Sequence, residues 1–165
     1  MTAVLKVYLD SSTVVKRYVH ESGSEMVDLV YAKAEKGTGR IVISLWNIGE
    51  VLGVLDTYRS RKSLDDEALL EITRSFLAES EKMIRLGGME VHPLALGILM
   101  ETYSLILKHH IYQADAVQIA TSKLTGSNLL LSADRKLLGV ARSENIEALN
   151  IESDEDRIRK LVLEE

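Results

Sequence analysis

The amino-acid sequence predicts an α/β fold with a mostly parallel, twisted sheet of four or five short strands flanked by helices. Two observations lead to this prediction. Short segments that are apolar throughout alternate with longer segments in which apolar residues recur at three- and four-residue steps. The short segments lack the polar alternation of half-exposed strands, which indicates strands covered on both faces. The length of 165 residues suits one domain, and we assign residues 1–165 to it.

The predicted strands come at intervals along the whole chain. They cover residues 4–9, 41–44, 89–92, 129–132 and 147–150. The segments between them predict helices, which cover residues 12–21, 24–36, 46–59, 64–86, 94–109, 114–125, 134–141 and 154–163. The helix 64–86 is long and amphipathic, and Ser63 with Asp66 resembles a capping box at its start. Strands that alternate with helices favour a parallel sheet.

Composition excludes several classes of protein. Hydrophobic residues make up 46% and charged residues 27%, a balance that rules out a disordered chain. The net charge of −5 lacks the basic footprint of duplex DNA-binding proteins. The chain has no cysteine, which excludes disulfides, thiolate zinc sites and cysteine nucleophiles. Because no apolar segment is long enough to span a membrane and no signal peptide precedes the first strand, we expect a cytoplasmic protein.

Two carboxylates follow predicted strands. Asp10 ends the first strand, and Asp134 comes just after the strand that ends at Ser132. In open α/β sheets, ligands bind beyond the carboxyl ends of the strands, so both acids fall where an active site is expected. Each also has a structural alternative, because an Asp directly before a helix is a common N-cap.

Two further carboxylates lie in apolar segments of predicted helices. Asp115 opens the helix that runs to Thr125, so a capping role is again open. Glu50 lies about a turn and a half inside its helix if Ser44 caps that helix, and capping does not explain it. The alternative for Glu50 is a partly exposed side chain or an ion pair. Four convergent carboxylates would require a cation, and oxygen ligands favour Mg²⁺ or Mn²⁺ in phosphodiester hydrolysis.

The segments around the four acids carry a family resemblance. They read Leu9-Asp10-Ser11-Ser12, Asn47-Ile48-Gly49-Glu50, Ala114-Asp115-Ala116-Val117 and Ser132-Ala133-Asp134-Arg135. In this order and at these spacings they resemble the PIN-domain family of ribonucleases, especially the VapC-type toxins of prokaryotic toxin–antitoxin pairs. The resemblance runs from about Leu5 to about Asn150. It implies a three-layer PIN fold and an endoribonuclease that cleaves single-stranded or looped RNA with Mg²⁺ or Mn²⁺.

The same resemblance implies roles for individual residues. The catalytic and metal-binding residues are then Asp10, Glu50, Asp115 and Asp134. Ser11 and Ser132 would support them by orienting ligands or water. Gln118 stands where many relatives have His, which we interpret as a difference in the layer around the ligands or in a substrate contact. A cognate antitoxin is the implied protein partner.

Basic residues near these motifs are candidates for contacts with RNA phosphates. RNA must approach a negative site on a net-negative protein, so local Lys and Arg side chains are needed. The candidates are Lys16, Arg17, Arg135 and Lys136. The alternative for each is a solvated surface or an ion pair. The helices 12–36 and 45–59, with Trp46 among their apolar residues, carry more apolar positions than one sheet face needs, from which we predict a homodimer.

Alternative functions stay open at this point. A PIN-scaffold nuclease that processes RNA without a toxin role would carry the same residues, since function depends on substrate and partners. A catalytically inactive module that only binds RNA or protein is a second alternative, although it would have no need to keep four acids in apolar segments. A haloacid-dehalogenase-type phosphatase requires a second Asp two residues after the first, and Ser12 holds that position.

Overall fold

The structure is a computed structural model that describes residues 4–61 and 63–163. Its described residues form a sheet of five strands: β1 (Leu5–Leu9), β2 (Gly39–Ser44), β3 (Met89–His92), β4 (Leu129–Ser132) and β5 (Ala148–Asn150). Neighbouring strands all pair in parallel, in the order β3-β2-β1-β4-β5. The predicted parallel sheet is therefore confirmed, and each predicted strand lies within two residues of the observed bounds.

Helices fill the intervals between the strands. They are α1 (Ser11–Val15), α2 (Ser24–Glu35), α3 (Leu45–Ser60), α4 (Asp66–Arg85), α5 (Leu96–His109), α6 (Gln113–Leu124), α7 (Arg135–Ser143) and α8 (Glu155–Leu163). Within the described ranges, none of them is both long and apolar enough to cross a lipid bilayer.

Two details of the predicted helices are wrong. The helix predicted over residues 12–21 ends at Val15, because the hydroxyl of Ser24 donates to the backbone carbonyl of Lys16 at 2.7 Å and the chain turns there. The capping box predicted for Ser63 and Asp66 is absent. Asp65 is the N-cap of α4 instead, and its carboxylate accepts the backbone N–H of Ala68 at 2.8 Å.

The sheet separates two apolar layers. Val7 and Leu9 of β1 point into a core formed with α1, α2, α3, α4 and α8. Tyr8, between them, points to the opposite face, where α5, α6 and α7 pack. Side chains of successive strand residues point to opposite faces, so an apolar strand needs helices on both sides. The three-layer arrangement expected from the sequence is thus confirmed.

The strand order places a crevice at the middle of the sheet. The chain runs outward from β1 to β2 and β3, then returns to the other side of β1 to form β4 and β5. The strand order therefore reverses between β1 and β4, and ligands of open α/β sheets bind at such a switch point. The backbone N–H of Asp10, just beyond β1, donates to the carbonyl of Leu131 in β4 at 3.2 Å.

Candidate metal centre

Asp10 occupies the crevice directly after β1 and is only 5% exposed. It is the N-cap of α1, and Oδ1 accepts the backbone N–H of Thr13 at 2.7 Å. Its carboxylate also accepts the hydroxyl of Ser12 at 2.9 Å and that of Ser132 at 2.5 Å, both on Oδ2. Burial raises the pKa of Asp10, while these hydrogen bonds lower it. Asp10 is therefore both the cap and a buried carboxylate of the crevice.

Glu50 lies in α3, which Ser44 caps in a capping box with Asn47. Its Oε2 accepts the hydroxyl of Ser11 at 2.7 Å and the amide N–H of Gln118 at 3.1 Å. Burial raises the pKa of Glu50, and the nearby charge of Asp10 raises it further. The hydrogen bond from Ser11 and the nearby indole N–H of Trp46 oppose both effects. Glu50 and Asp10 therefore interact electrostatically in one crevice.

Asp115 lies in the first turn of α6 and is half-buried. The N-cap position of α6 belongs to Tyr112, so the capping role left open for Asp115 does not apply. Burial raises the pKa of Asp115, followed by the negative charges of Asp134 and Glu50 and, more weakly, of Asp10. Asp115 thus interacts electrostatically with all three other predicted acids.

Asp134 is the exposed member of the group. It caps α7, and its Oδ1 accepts the backbone N–H groups of Lys136 at 2.7 Å and of Leu137 at 3.1 Å. Its own backbone N–H donates to the hydroxyl of Ser132 at 2.9 Å. The cap predicted as an alternative for Asp134 is therefore present, at the edge of the same crevice.

The donor set of the crevice suits a hard cation. It offers carboxylate oxygens whose charges repel one another, and a divalent ion relieves that repulsion. In residues 4–61 and 63–163, however, no three Asp, Glu or His side chains form a group tight enough to hold a metal. Ions such as Mg²⁺ keep several waters and need only one or two carboxylates directly, so a looser arrangement is compatible with them.

The four basic candidates fall into two pairs. Lys16 is 5% exposed and bridges Glu21 at 2.9 Å and Glu152 at 2.8 Å. Arg17 bonds to carboxylates of α2 and α4 and lies 4.9 Å above the ring of Tyr31. Both match the ion-pair alternative and not a free RNA contact.

The second basic pair lies beside the crevice. Arg135 and Lys136 are exposed in the first turn of α7, and neither pairs with a carboxylate of the described chain. Lys136 is close enough to Asp115 to lower its pKa, which opposes the effect of the acids. Of the four candidates, these two can therefore meet a phosphate near the acids.

Two residues around the acids were missed by the sequence reasoning. Asn47 and Tyr8 are fully buried, and the Tyr8 hydroxyl donates to Oδ1 of Asn47 at 2.7 Å. A signal existed for Asn47, which stands three residues after Ser44 and three before Glu50. No comparable signal marks Tyr8, whose apolar setting in β1 predicts only a core residue.

Comparisons with known proteins agree with the geometry. The model of the family described as PIN domain matches residues 7–143, and the chain belongs to that family. This membership supports a nuclease function. No curated protein sequence matches the chain significantly.

Solved structures share the fold at low sequence identity. VapBC2 from Rickettsia felis, bound to a DNA fragment from its promoter, has a TM-score of 0.60 at 15% identity, over 88% of this chain and 98% of that one. FitAcB from Neisseria gonorrhoeae has a TM-score of 0.61 at 15% identity, over 88% of this chain and 97% of that one. PAE2754 from Pyrobaculum aerophilum has a TM-score of 0.58 at 18% identity, over 97% of this chain and 99% of that one. These likenesses show the fold.

Proposed function

We propose that this chain is a Mg²⁺- or Mn²⁺-dependent endoribonuclease that hydrolyses single-stranded or looped RNA as the toxin of a toxin–antitoxin pair. One observation carries the proposal: the charges of Asp134, Glu50 and Asp10 all act on Asp115 at the switch point between β1 and β4. Asp10 is buried, and Glu50 and Asp115 are partly buried, so their like charges cost stability unless a cation binds there. Membership of the PIN-domain family supports the choice of a nuclease.

The residues of the crevice have distinct tasks in this proposal. Asp10, Glu50 and Asp115 would hold the metal, directly or through its bound waters, and Asp134 would add its charge from the exposed edge. Ser11 and Ser132 hold Glu50 and Asp10 in place through their hydroxyls. A divalent metal held by these residues would supply a water of lowered pKa and polarise the scissile phosphate.

The basic pair of α7 completes the site in this proposal. Arg135 and Lys136 neutralise phosphates as the RNA enters, because they are the exposed cations next to the acids. Single-stranded RNA exposes its phosphates and its unstacked bases together, so both are open to contacts with the protein.

The partners proposed are an antitoxin and a second copy of the chain. The structures of VapBC2 and FitAcB are of toxin–antitoxin complexes, which supports an antitoxin here. A homodimer is supported by α5, which leaves four apolar side chains exposed on one face: Leu96, Met100, Tyr103 and Leu107. Exposed apolar stripes of this kind mark interaction surfaces.

The test is Mn²⁺-dependent cleavage of a mixed pool of single-stranded RNA by the wild type and by Asp10→Asn. We expect cleavage by the wild type that EDTA and Asp10→Asn both abolish. Asp56→Asn is the matched control, because Asp56 is an exposed acid of α3 whose ion-pair partner among the described residues is nearby Arg59. Equal cleavage by the wild type and Asp10→Asn would overturn the proposal.

Expression in bacteria separates a toxin from a processing nuclease. A toxin is expected to arrest growth when the wild type is expressed, while Asp10→Asn allows growth. RNA cleavage in vitro together with normal growth would leave a nuclease but remove the toxin role.

A further inference from the structure

A buried amide organises the side chains behind Glu50. Oδ1 of Asn47 accepts the Tyr8 hydroxyl at 2.7 Å, and the backbone N–H and hydroxyl of Ser44, each at 2.8 Å. Nδ2 of Asn47 donates to the hydroxyl oxygen of Ser11 at 2.8 Å and to Oε1 of Gln118 at 3.2 Å. A backbone N–H can only donate, so the contact with Ser44 fixes which end of the amide carries oxygen.

The fixed orientation of the Asn47 amide determines which group donates in each hydrogen bond between Asn47 and Glu50. Because Nδ2 of Asn47 only donates, Ser11 and Gln118 must receive its hydrogens on their oxygens. The hydroxyl hydrogen of Ser11 is then directed to Oε2 of Glu50, at 2.7 Å. The amide group of Gln118 is oriented likewise, and its Nε2 donates to the same oxygen at 3.1 Å. Two hydrogens therefore converge on Oε2.

We propose that Asn47 and Gln118 are positioning residues that fix Glu50 so that its other oxygen, Oε1, faces the metal. The set of Tyr8, Asn47, Ser11 and Gln118 is called the Asn47 relay here. Donors on Oε2 fill its acceptor sites, so coordination of a cation falls to Oε1. Residues that hold a metal ligand in this way change metal affinity 10–100-fold when replaced. The inference rests on the proposed function, because it takes a divalent cation as the ligand of Glu50.

The substitution Asn47→Asp replaces the amide nitrogen by an oxygen, so position 47 accepts hydrogen bonds where Asn47 donates them. An Asp accepts hydrogen bonds at both oxygens, so the hydroxyl of Ser11 turns away from Glu50 and towards position 47. The amide of Gln118 turns as well and presents its oxygen to Glu50. We expect the Kd for Mn²⁺ to rise about 10–100-fold. Simple charge attraction predicts the opposite, because an added negative charge tightens the binding of a cation.

A second variant avoids the added charge. Gln118→Leu keeps similar bulk but removes the donor to Glu50, and we expect its Kd for Mn²⁺ to rise about tenfold. The matched control is Ser122→Ala, on the same helix α6. Ser122 is fully buried, and its hydroxyl has no hydrogen-bond partner in the described chain. The control is expected to bind Mn²⁺ with the wild-type Kd.

The chain's single tryptophan provides the measurement. Trp46 contacts the Glu50 carboxylate, so paramagnetic Mn²⁺ bound there quenches its fluorescence. Calorimetric titration gives the Kd independently, and thermal melts establish which variants are folded. If Asn47→Asp does not fold, Gln118→Leu decides.

The possible results separate the relay from the proposed function. A raised Kd in a folded variant, with the Ser122→Ala value unchanged, supports the relay. A wild-type Kd in Gln118→Leu, or tighter binding in Asn47→Asp, overturns the relay while the proposed nuclease stands. Absence of Mn²⁺ binding by the wild type overturns both.

Discussion

The hydroxyl of Ser132 lies 2.5 Å from Oδ2 of Asp10 and joins the carboxyl ends of β1 and β4. The same hydroxyl accepts the backbone N–H of Asp134 at 2.9 Å, so its hydrogen is directed to Asp10. One serine thus connects an acid beyond β1 with one beyond β4. The crevice is therefore built by local hydrogen bonds, although burial still raises the pKa of Asp10.

We expect Asp10→Asn to stabilise the metal-free protein. The carboxylate of Asp10 is buried and lies close to other acids, so its charge costs stability when no cation is present. Asn keeps the ability to cap α1 through its oxygen, and its NH₂ group can donate to the Ser132 hydroxyl once that hydroxyl rotates its own hydrogen away. A gain of about 1 kcal/mol corresponds to a rise in melting temperature of about 2–4 °C for a chain of this size. Thermal melts in EDTA measure it.

With Mn²⁺ present, we expect the wild type to have a higher melting temperature than Asp10→Asn. Binding to the folded state alone stabilises the wild type in proportion to the logarithm of metal concentration, and Asp10→Asn gains little. The control Asp56→Asn is expected to follow the wild type in both conditions. If Asp10→Asn melts at a lower temperature than the wild type in EDTA, the Asp10 charge does not destabilise the metal-free protein.

We expect Arg135→Ala and Lys136→Ala to weaken RNA binding and its dependence on salt. Each removed phosphate contact lowers the slope of log affinity against log salt by about 0.7–1. The measurement is fluorescence anisotropy of a labelled single-stranded RNA across a salt series, in an Asp10→Asn background that prevents cleavage. Slopes equal to that of the parent would show that α7 does not contact phosphate.

Arg17→Ala is expected to behave differently. The guanidinium bonds to Glu79 at 2.8 Å and to Asp28 at 2.6 Å, so its removal leaves the half-buried Glu79 carboxylate without its ion-pair partner and with the Tyr18 hydroxyl as a donor. We expect a loss of about 1–3 kcal/mol in the free energy of unfolding, with the salt slope of RNA binding unchanged. Urea unfolding and the same anisotropy series test both parts. An altered salt slope would return Arg17 to the RNA-binding set.

The contrast between these basic residues shows what the sequence could and could not predict. Strands and helices follow from local periodicity, which is why most bounds agree within two residues. The convergence of Asp10 and Asp134 follows from the rule that parallel strands end at one edge. Lys16, by contrast, pairs with Glu152, and no local pattern announces a contact between residues so far apart in the chain.

The polar contacts around Glu50 were out of reach for the same reason. The Asn47 relay draws on β1, α1, α3 and α6, which meet only after folding. The family resemblance singled out Gln118 as unusual, but its hydrogen bond to Glu50 required the structure. The early end of α1 likewise depends on the hydroxyl of Ser24, which lies beyond the helix.

We expect Glu144→Gln to destabilise the protein at neutral pH and to lose that effect in acid. Lys108, His109 and Lys123 surround the Glu144 carboxylate at 2.6–2.9 Å and hold its pKa at about 2, against an ordinary 4.5. A carboxylate with a lowered folded pKa contributes stability above its unfolded pKa, and this is lost as pH falls from about 4.5 to about 2.

The expected size of the Glu144 effect is about 1 kcal/mol at pH 7, because water screens the exposed lysines. Urea unfolding of the wild type and variant at pH 7, 4 and 3 should show the two free energies converging. Glu71→Gln is the control, since Glu71 is an exposed acid of α4 outside any ion pair in the described chain. A constant gap across pH would refute the electrostatic origin.

The structure favours α5 as the dimer interface, whereas the sequence pointed to the helices 12–36 and 45–59. The side chain of Trp46 contacts Glu50, which associates it with the crevice. Helix α5 instead exposes Leu96 by 75% and Leu107 by 77%, and these leucines align with Met100 and Tyr103 at steps of three and four residues. A stripe of this kind buries well against a second copy of itself, so α5 is the expected interface.

Leu107→Glu tests the α5 interface, because a dimer would have to bury the new charge without a partner. We expect light scattering at micromolar concentration to give twice the chain mass for the wild type and the single chain mass for Leu107→Glu. Leu77→Glu is the matched control on α4, where Leu77 is 46% exposed, and it is expected to remain dimeric. A wild type that scatters as a monomer would end the dimer prediction. Dissociation of Leu77→Glu alone would move the interface from α5 to α4.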